Sequence, residues 1–421
     1  TSEQLVTLFN ARIEAYDQQG PSINAVILRN PRALERAREL DRERQESGPR
    51  SALHGIPIVI KDNLDTADMP TTAGSFLLEG SLPPDDAFVV ERLRAAGAIV
   101  IAKTNLSEFA SGDAMSSLGG PMRNPHHLGR SPAGSSGGTG AAIAAAYASF
   151  GLGTDTGGSV RGPSSANGIV GLKTTHGLVS RDGVIPLALS FDTVGPMARS
   201  VEDIALALGV MAGIDDADAS TAKSRGHEVS NYTPYLDAQA LAGKKLGVAR
   251  VFMGQNAEVD WTVEAALQHM RDAGAEIVDV ELPKWLMDSR GDFYRTIRYP
   301  EFKAQIADYL ATLGPDYPKT LEQLISRAQT LTARQDGGIL PNPTRWSLMR
   351  SEVEATDLDG YAYRAVKDHA QALIRATRAG LMEAEGLAAI VYPTSGQPAR
   401  LLERDANRLI APGSGPSPVT L

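Results

Sequence analysis

Short apolar runs alternate with longer amphipathic segments through the first half of the chain. The short runs are rich in β-branched residues and predict buried strands: "GIPIVI", "AIVIA" and "IVGLK". The longer segments predict helices: "PRALERARELDRERQESG", "DDAFVVERLRAAG", which ends at Gly97, and "TGAAIAAAYASF". Because strands that alternate with helices are typical of α/β folds with a largely parallel sheet, we expect that architecture here.

The second half of the chain repeats this pattern and then departs from it. "KLGVARV", "WTVEAALQHMRDAG" and "EIVDVEL" predict a strand, a helix and a strand. Helical periodicity dominates from about 285 to 385, and "LAAIVYPTS" then predicts a return to the sheet. Since no repeat, low-complexity tract or flexible linker interrupts the chain, we predict a single domain over residues 1–421 with a helical insertion.

Composition and charge remove several classes of function. The chain has 421 residues, enough for a large core, and its lack of cysteine excludes disulfides, thiolate catalysis and cysteine–zinc sites. The net charge of −9 disfavours nucleic acid or an anionic membrane as the main partner. No secretory signal is visible, so we predict a cytoplasmic protein. The final "GPSPVTL" resembles the entry to a further core segment, and we expect the C-terminal end of the fold to be missing.

The glycine-rich stretch "SPAGSSGGTG" contains the pattern G-x-S-x-G, with Ser136 at its centre. That pattern is typical of the nucleophile elbow of α/β-hydrolases, in which a hydrophobic strand comes immediately before the serine. The preceding residues, "HHLGRSPA", do not predict a strand. Nor does a G-K-[ST] sequence follow, so a P-loop is excluded. Taken alone, the stretch predicts a turn that leads into a helix.

A second glycine-rich stretch, "GTDTGGSVRGP", follows the alanine-rich helix and contains Ser159. The two loops bracket that helix, so both can lie at the same end of the sheet. The backbone N–H groups from Thr156 to Ser159 form a candidate nest for an oxyanion. Ser159 within this nest is a candidate nucleophile.

A serine nucleophile needs a base, and the sequence offers two lysines rather than a histidine. None of the seven histidines lies in a motif that nominates it, and no HExxH spacing is present. Lys61 and Lys103 each follow a predicted strand, at the end where parallel sheets place their sites. Burial there would lower the pKa of either amine, whereas a solvated surface lysine is the alternative for both. The residue pattern leaves the choice between them open.

Four stretches together resemble the amidase signature family: "GIPIVIKDN", "GRSPAGSSGGTGAAIAAA", "GTDTGGSVRGPSSANGIVGLK" and "DTVGPMARSVEDIA". The resemblance runs nearly continuously over about 55–208. It implies an α/β fold whose central mixed sheet is covered on both faces by helices. It also implies a serine hydrolase that uses no metal and no other cofactor.

The resemblance assigns roles to individual residues. Ser159 falls on the family's nucleophile, Ser135 on the bridging serine after a cis Gly134–Ser135 peptide bond, and Lys61 on the base. Lys103 falls on a recurrent family lysine outside the triad. The residues expected to bind the oxyanion or substrate are Thr156, Gly157, Gly158 and Ser136, and those expected to brace the loop are Asp155 and Arg161.

The reaction implied is hydrolysis of a linear carboxylic amide through an acyl-enzyme, with a small-molecule or short-peptide amide as substrate. The protein would act without nucleic acid or membrane, and a homodimer is the oligomer we consider. "KDNLDTADMPTTAGS" and "SRDGVIPLALSFDTVGPMARS" are more similar to stand-alone amidases, including peptide amidases, than to the A subunit of a glutamine-dependent tRNA amidotransferase. That subunit is the alternative. A non-catalytic binding protein on this scaffold is a second alternative, which the filled triad positions disfavour.

Overall fold

The computed structural model describes residues 1–334 and 342–402. Its strands are β1 (Val26–Arg29), β2 (Pro57–Lys61), β3 (Ile99–Thr104), β4 (Met115–Ser116), β5 (Gly120–Pro121), β6 (Phe150–Asp155), β7 (Val170–Gly171), β8 (Thr193–Ala198), β9 (Lys245–Val248), β10 (Glu276–Asp279) and β11 (Ala389–Val391). Its helices are α1 (Ser2–Tyr16), α2 (Ala33–Ser47), α3 (Phe88–Ala95), α4 (Gly137–Ala144), α5 (Arg161–Ala166), α6 (Val201–Met211), α7 (Ala257–Asp272), α8 (Lys284–Thr312), α9 (Leu321–Arg334), α10 (Pro343–Val353), α11 (Tyr361–Arg364) and α12 (Gln371–Glu385).

A six-stranded sheet in the order β1-β3-β2-β6-β8-β7 forms the centre of the molecule. Its middle strands, β3, β2 and β6, are parallel, whereas β1 and β8 add to them in the antiparallel sense. The predicted α/β fold with a mixed sheet is therefore confirmed, but the central sheet is not largely parallel, because β7 also pairs with β8 in the antiparallel sense. Because β2, β3 and β6 run in one direction, their carboxyl ends, at Lys61, Thr104 and Asp155, lie along one edge of the sheet.

Helices cover both faces of this sheet, as the alternation of side chains along β2 requires. Ile58 and Ile60 pack into a core with residues of α3 and α6, whereas Val59 packs into a second core with residues of α1, α2 and α4. Successive side chains of a strand point to opposite faces, so a strand buried on both sides is apolar throughout. This is why "IPIVI" is a continuous apolar run.

The structure differs from the sequence pattern at two elements beside the glycine-rich loops. The helix predicted from "TGAAIAAAYASF" ends at Ala144, because Ala146 has a left-handed backbone (φ +56°) and the following residues form strand β6. Strand β8 has no strand signature in the sequence, because it contains Gly195 and Pro196. It pairs with β6 along its whole length all the same.

The strand predicted from "LAAIVYPTS" does not return to the central sheet. It forms β11, which pairs with β9 in a separate, parallel three-stranded sheet of order β10-β9-β11. This sheet has a small core of its own around Ala249, Val280 and Leu387, which explains why β11 joins it.

The region of helical periodicity forms α8 to α12. Phe302, Ile306 and Leu310 of α8 share a core with Phe76 and Phe109, which follow β2 and β3 in the chain. The helical segment thus packs on the loops that leave the carboxyl edge of the sheet. Among the described residues, no helix combines the length and the apolar character needed to cross a membrane.

Candidate active site

Lys61 is the last residue of β2 and is fully buried. Its Nζ lies 2.6 Å from Ser135 Oγ and 2.7 Å from Thr154 Oγ1. Burial lowers the pKa of Lys61 to about 7, although the negative charges of Asp192 and Asp155 oppose this shift. The amine is therefore neutral in a large fraction of molecules near neutral pH, as a base must be.

Ser135 presents its hydroxyl to this amine from the loop that precedes α4. The predicted cis Gly134–Ser135 peptide bond is confirmed. The Ser135 carbonyl oxygen accepts a hydrogen bond from the Ser107 N–H at 2.9 Å. A Cβ on Gly134 would lie 2.4 Å from Ser107 Oγ, so a larger residue before Ser135 would require the Ser107 side chain to rotate.

Ser159 lies in the loop between β6 and α5 and is half-buried. Its carbonyl oxygen accepts a hydrogen bond from the Ser136 N–H at 3.2 Å, which joins the two serine loops. Across residues 1–334 and 342–402, the Ser159 hydroxyl has no hydrogen-bond partner. The structure therefore brings the loop of Ser159 against that of Ser135 and leaves its hydroxyl available.

The backbone around Ser159 provides fewer free N–H groups than the sequence predicts. Within the described parts of the chain, the N–H groups of Thr156, Gly157 and Ser159 have no protein partner. The Gly158 N–H instead donates to Asp155 Oδ1 at 2.9 Å. The Gly158 N–H is thus occupied, its φ of +138° explains why the position is glycine, and its expected oxyanion role stays a prediction.

Ser136, which the resemblance places at the oxyanion or substrate, lies inside the protein, and its expected role stays a prediction. Its side chain is fully buried, and its hydroxyl lies 3.2 Å from both the carbonyl oxygen and the nitrogen of Thr154. Its own N–H is bonded to Ser159. Ser136 therefore joins the start of α4 to β6, and the elbow interpretation loses its nucleophile.

Asp155 holds the loop that carries Ser159. Its buried carboxylate accepts hydrogen bonds from the N–H groups of Gly158 and Val160 and pairs with the Arg161 guanidinium at 2.9 Å. Lys173, which sequence reasoning missed, lies 3.2 Å from the same carboxylate. Burial alone would raise the pKa of Asp155, but the charges of Lys173 and Arg161 hold it well below its usual range. The contacts expected of Asp155 and Arg161 are present, while their functional role stays a prediction.

The Amidase family model matches residues 4–412. The chain belongs to the amidase family. The native peptide amidase from Stenotrophomonas maltophilia is 40% identical, covers 95% of this chain and 83% of its own, and superposes with a TM-score of 0.86. An amidase family protein from Bacillus anthracis strain Ames is 30% identical, with a TM-score of 0.82 over 93% of this chain and 76% of its own.

Curated relatives of the chain include glutamyl-tRNA(Gln) amidotransferase subunits A. The subunit from Thermoanaerobacter pseudethanolicus is 42% identical over 275 residues, which are 64% of this chain and 55% of that protein. The subunit from Nitratidesulfovibrio vulgaris strain DP4 is 46% identical over 65% of this chain and 55% of its own length. The chain thus spans about half the length of the curated relatives it matches.

Lys103, the other candidate lysine from the sequence, contacts neither Ser135 nor Ser159. Its Nζ is 3.3 Å from Asp62 Oδ1 and donates to the Leu64 carbonyl oxygen and to Thr71 Oγ1, each at 2.7 Å. The geometry therefore separates the two lysines that residue pattern alone leaves equivalent.

Sequence reasoning assigned no role to three further residues of the site. Thr154 contacts Lys61, and Asp192 accepts a hydrogen bond from the Thr156 hydroxyl. Tyr294 reaches the loop from α8, and a Cβ on Gly157 would lie 2.9 Å from its hydroxyl. Within residues 1–334 and 342–402, no group of three or more His, Cys, Asp or Glu side chains could hold a metal ion.

Proposed function

We propose that this amidase hydrolyses a carboxylic amide through an acyl-enzyme on Ser159, with Ser135 as proton relay and Lys61 as base. One observation carries the proposal. A fully buried lysine with a pKa near 7 lies 2.6 Å from the Ser135 hydroxyl, on a loop bonded to that of Ser159. No histidine is needed, because a desolvated amine can accept the proton.

The steps follow from this arrangement. Neutral Lys61 accepts the proton of Ser135, which accepts that of Ser159 while Ser159 Oγ attacks the amide carbonyl carbon. The free N–H groups of Thr156, Gly157 and Ser159 stabilise the oxyanion. Return of the proton through Ser135 to the departing nitrogen breaks the C–N bond. Water then cleaves the acyl ester by the same relay and restores both serines.

For the substrate, we propose a linear amide of a small molecule or short peptide. The 40% identity to the Stenotrophomonas peptide amidase, over 95% of this chain, supports that class. The net charge of −9 supports an active site that works without bound nucleic acid.

Active-site labelling tests the nucleophile. A fluorophosphonate should form an adduct on Ser159, and Ser159→Ala should abolish both the adduct and amide turnover. Ser136→Ala is the matched control, because the Ser136 hydroxyl is fully buried and bonded to the Thr154 backbone. Labelling should survive that change. An adduct that maps to Ser136 would overturn the assignment.

The amidotransferase A subunit is the second candidate function. Curated relatives with that name at 42% and 46% identity favour it. Comparing ammonia release from glutamine with that from a panel of peptide and alkyl amides separates the two. Glutaminase activity that rises with partner subunits and charged tRNA supports the amidotransferase, whereas unaided turnover of peptide amides supports the stand-alone enzyme.

A further inference from the structure

Asp192 lies directly before β8 and is buried beneath the residues 156–159, hereafter the oxyanion loop. One carboxylate oxygen accepts a hydrogen bond from the Thr156 hydroxyl. The other accepts from the N–H groups of Leu187 and Ala188, at 2.8 and 2.9 Å. A single side chain thus connects the oxyanion loop to residues 187–192, hereafter the anchor loop.

The anchor loop is fixed in turn to helix α8. The Leu189 N–H donates to Gln305 Oε1 at 2.8 Å, and the Ser190 N–H donates to Glu301 Oε2 at 2.9 Å. The Phe191 ring stacks on Tyr294 at 5.4 Å between centroids. Asp192 is therefore one link through which the helical segment holds Thr156, whose N–H is one of the three around Ser159 that have no protein partner in the described parts of the chain.

The charge of Asp192 is balanced differently from that of Asp155. Asp155 pairs directly with Arg161 and Lys173. In the described parts of the chain, no lysine, arginine or histidine lies within ion-pair distance of the Asp192 carboxylate. Burial raises the pKa of the Asp192 carboxyl, while the hydrogen bonds from Thr156, Leu187 and Ala188 favour its charged form. In that form it raises the pKa of Lys61, which has no ion-pair partner among the described residues.

We propose that Asp192 is a positioning residue for the proposed hydrolysis, which tethers Thr156 in the oxyanion loop and places an unpaired negative charge near Lys61. The proposal rests on the function proposed above. The other titratable groups around these two residues are Asp155 on β6, Arg161 on α5, Lys173 after β7 and Tyr294 on α8.

The sign of the effect on Lys61 follows from its surroundings. Burial lowers the pKa of Lys61. The negative charges of Asp192 and Asp155 oppose this shift, and the effect of Asp192 is the larger. Removal of that charge should lower the pKa further, so the neutral amine would be present at lower pH. Loss of the tether alone, with the charge kept, should leave that pKa in place and weaken oxyanion binding.

Two substitutions separate the charge from the tether. In Asp192→Asn, the amide oxygen can accept from Leu187 and Ala188 while its NH₂ donates to the Thr156 hydroxyl, so the variant should fold. The acid limb of its rate profile should move to lower pH by on the order of one unit.

Thr156→Val keeps the charge and removes the tether, so kcat should fall at little cost in KM and with the limb unmoved. Thr156→Ser should restore kcat.

A titration that does not depend on turnover keeps this inference distinguishable from the proposed function. Carbon-13 NMR of the lysine ε-carbons, with Lys61 assigned from Lys61→Met, reads the pKa of the base directly. Equal Lys61 titration in wild type and Asp192→Asn overturns the charge role, and full activity in Thr156→Val overturns the tether. A shifted titration in a protein that neither turns over amides nor labels at Ser159 supports the charge role and contradicts the hydrolase.

Discussion

Lys61 and Lys103 stand on adjacent parallel strands at the same edge of the sheet, and both are fully buried. The register pairs Lys103 with Ile60 rather than with Lys61, so the two amines point to opposite faces of the sheet. On one face Lys61 meets the hydroxyls of Ser135 and Thr154, and on the other Lys103 meets the carboxylate of Asp62. An offset of one position thus gives two lysines different chemistry.

The difference lies in what compensates the positive charge. Burial lowers the pKa of both lysines, but Asp62 at 3.3 Å favours the ammonium form of Lys103. Neutral hydroxyls give Lys61 no such counter-charge, so its amine can give up the proton. The lysine whose neighbours are hydroxyls is therefore the better candidate for the base, and the lysine beside a carboxylate is the better candidate for a structural ion.

The largest expected effect comes from Lys61→Met, which keeps the shape of the side chain and removes the amine. Turnover should fall on the order of 10⁴-fold, because the relay through Ser135 then has no acceptor. The melting temperature should change little, since Met suits a buried site. Steady-state kinetics and calorimetry on the same preparation check both. Near-normal turnover in this variant would contradict the assignment of the base.

The same change at the other lysine, Lys103→Met, should act on stability instead. It leaves Asp62 buried without its cation, which costs about 3–5 kcal/mol of unfolding free energy. Turnover per folded molecule should stay close to wild type, because Lys103 contacts neither serine. Denaturant unfolding measures the loss. The double variant Lys103→Met/Asp62→Asn should recover part of it, and no recovery would mean that the ion pair is not the cause.

The comparison also shows what the sequence could predict. Strands β2 and β3, and the glycine loops that end before α4 and α5, have strong local signals, so the positions of Lys61, Ser135 and Ser159 could be expected. The choice between Lys61 and Lys103 depends on strand register, which the residue pattern alone does not fix.

Other features of the site lie beyond local patterns. Asp192 precedes β8, a strand whose glycine and proline are not typical of strands. Tyr294 lies on α8, far from the other site residues along the chain. The engagement of the Gly158 N–H by Asp155 and of the Ser136 hydroxyl by Thr154 depends on three-dimensional contacts. Sequence reasoning therefore predicted the proposed reacting groups more completely than the residues that hold those groups in position.

The pH dependence of activity should report Lys61 and not Lys103. Because the active form of Lys61 is the neutral amine, turnover should rise with pH along one limb and level off, with a midpoint near the Lys61 pKa of about 7. Values of kcat/KM measured across a pH series give this midpoint. Lys103→Met should keep the midpoint where the wild type has it. A midpoint that moves in Lys103→Met would instead couple the second lysine to the proton relay.

The smallest effects should come from a matched pair of hydroxyls, since Thr154 and Thr71 each accept a hydrogen bond from one lysine at 2.7 Å. Thr154→Val removes a hydrogen-bond acceptor that stabilises the ammonium form of Lys61 more than the neutral amine. The acid limb of the pH–rate profile should therefore move to lower pH by roughly half a unit. Thr71→Val should leave the limb in place and cost about 1 kcal/mol of stability, because Lys103 stays paired with Asp62. Thr→Ser at each position keeps the hydroxyl and is the control. If both valine variants shift the acid limb of the pH–rate profile, or if both only lose stability, then the hydroxyl and carboxylate neighbours do not give the two lysines different roles.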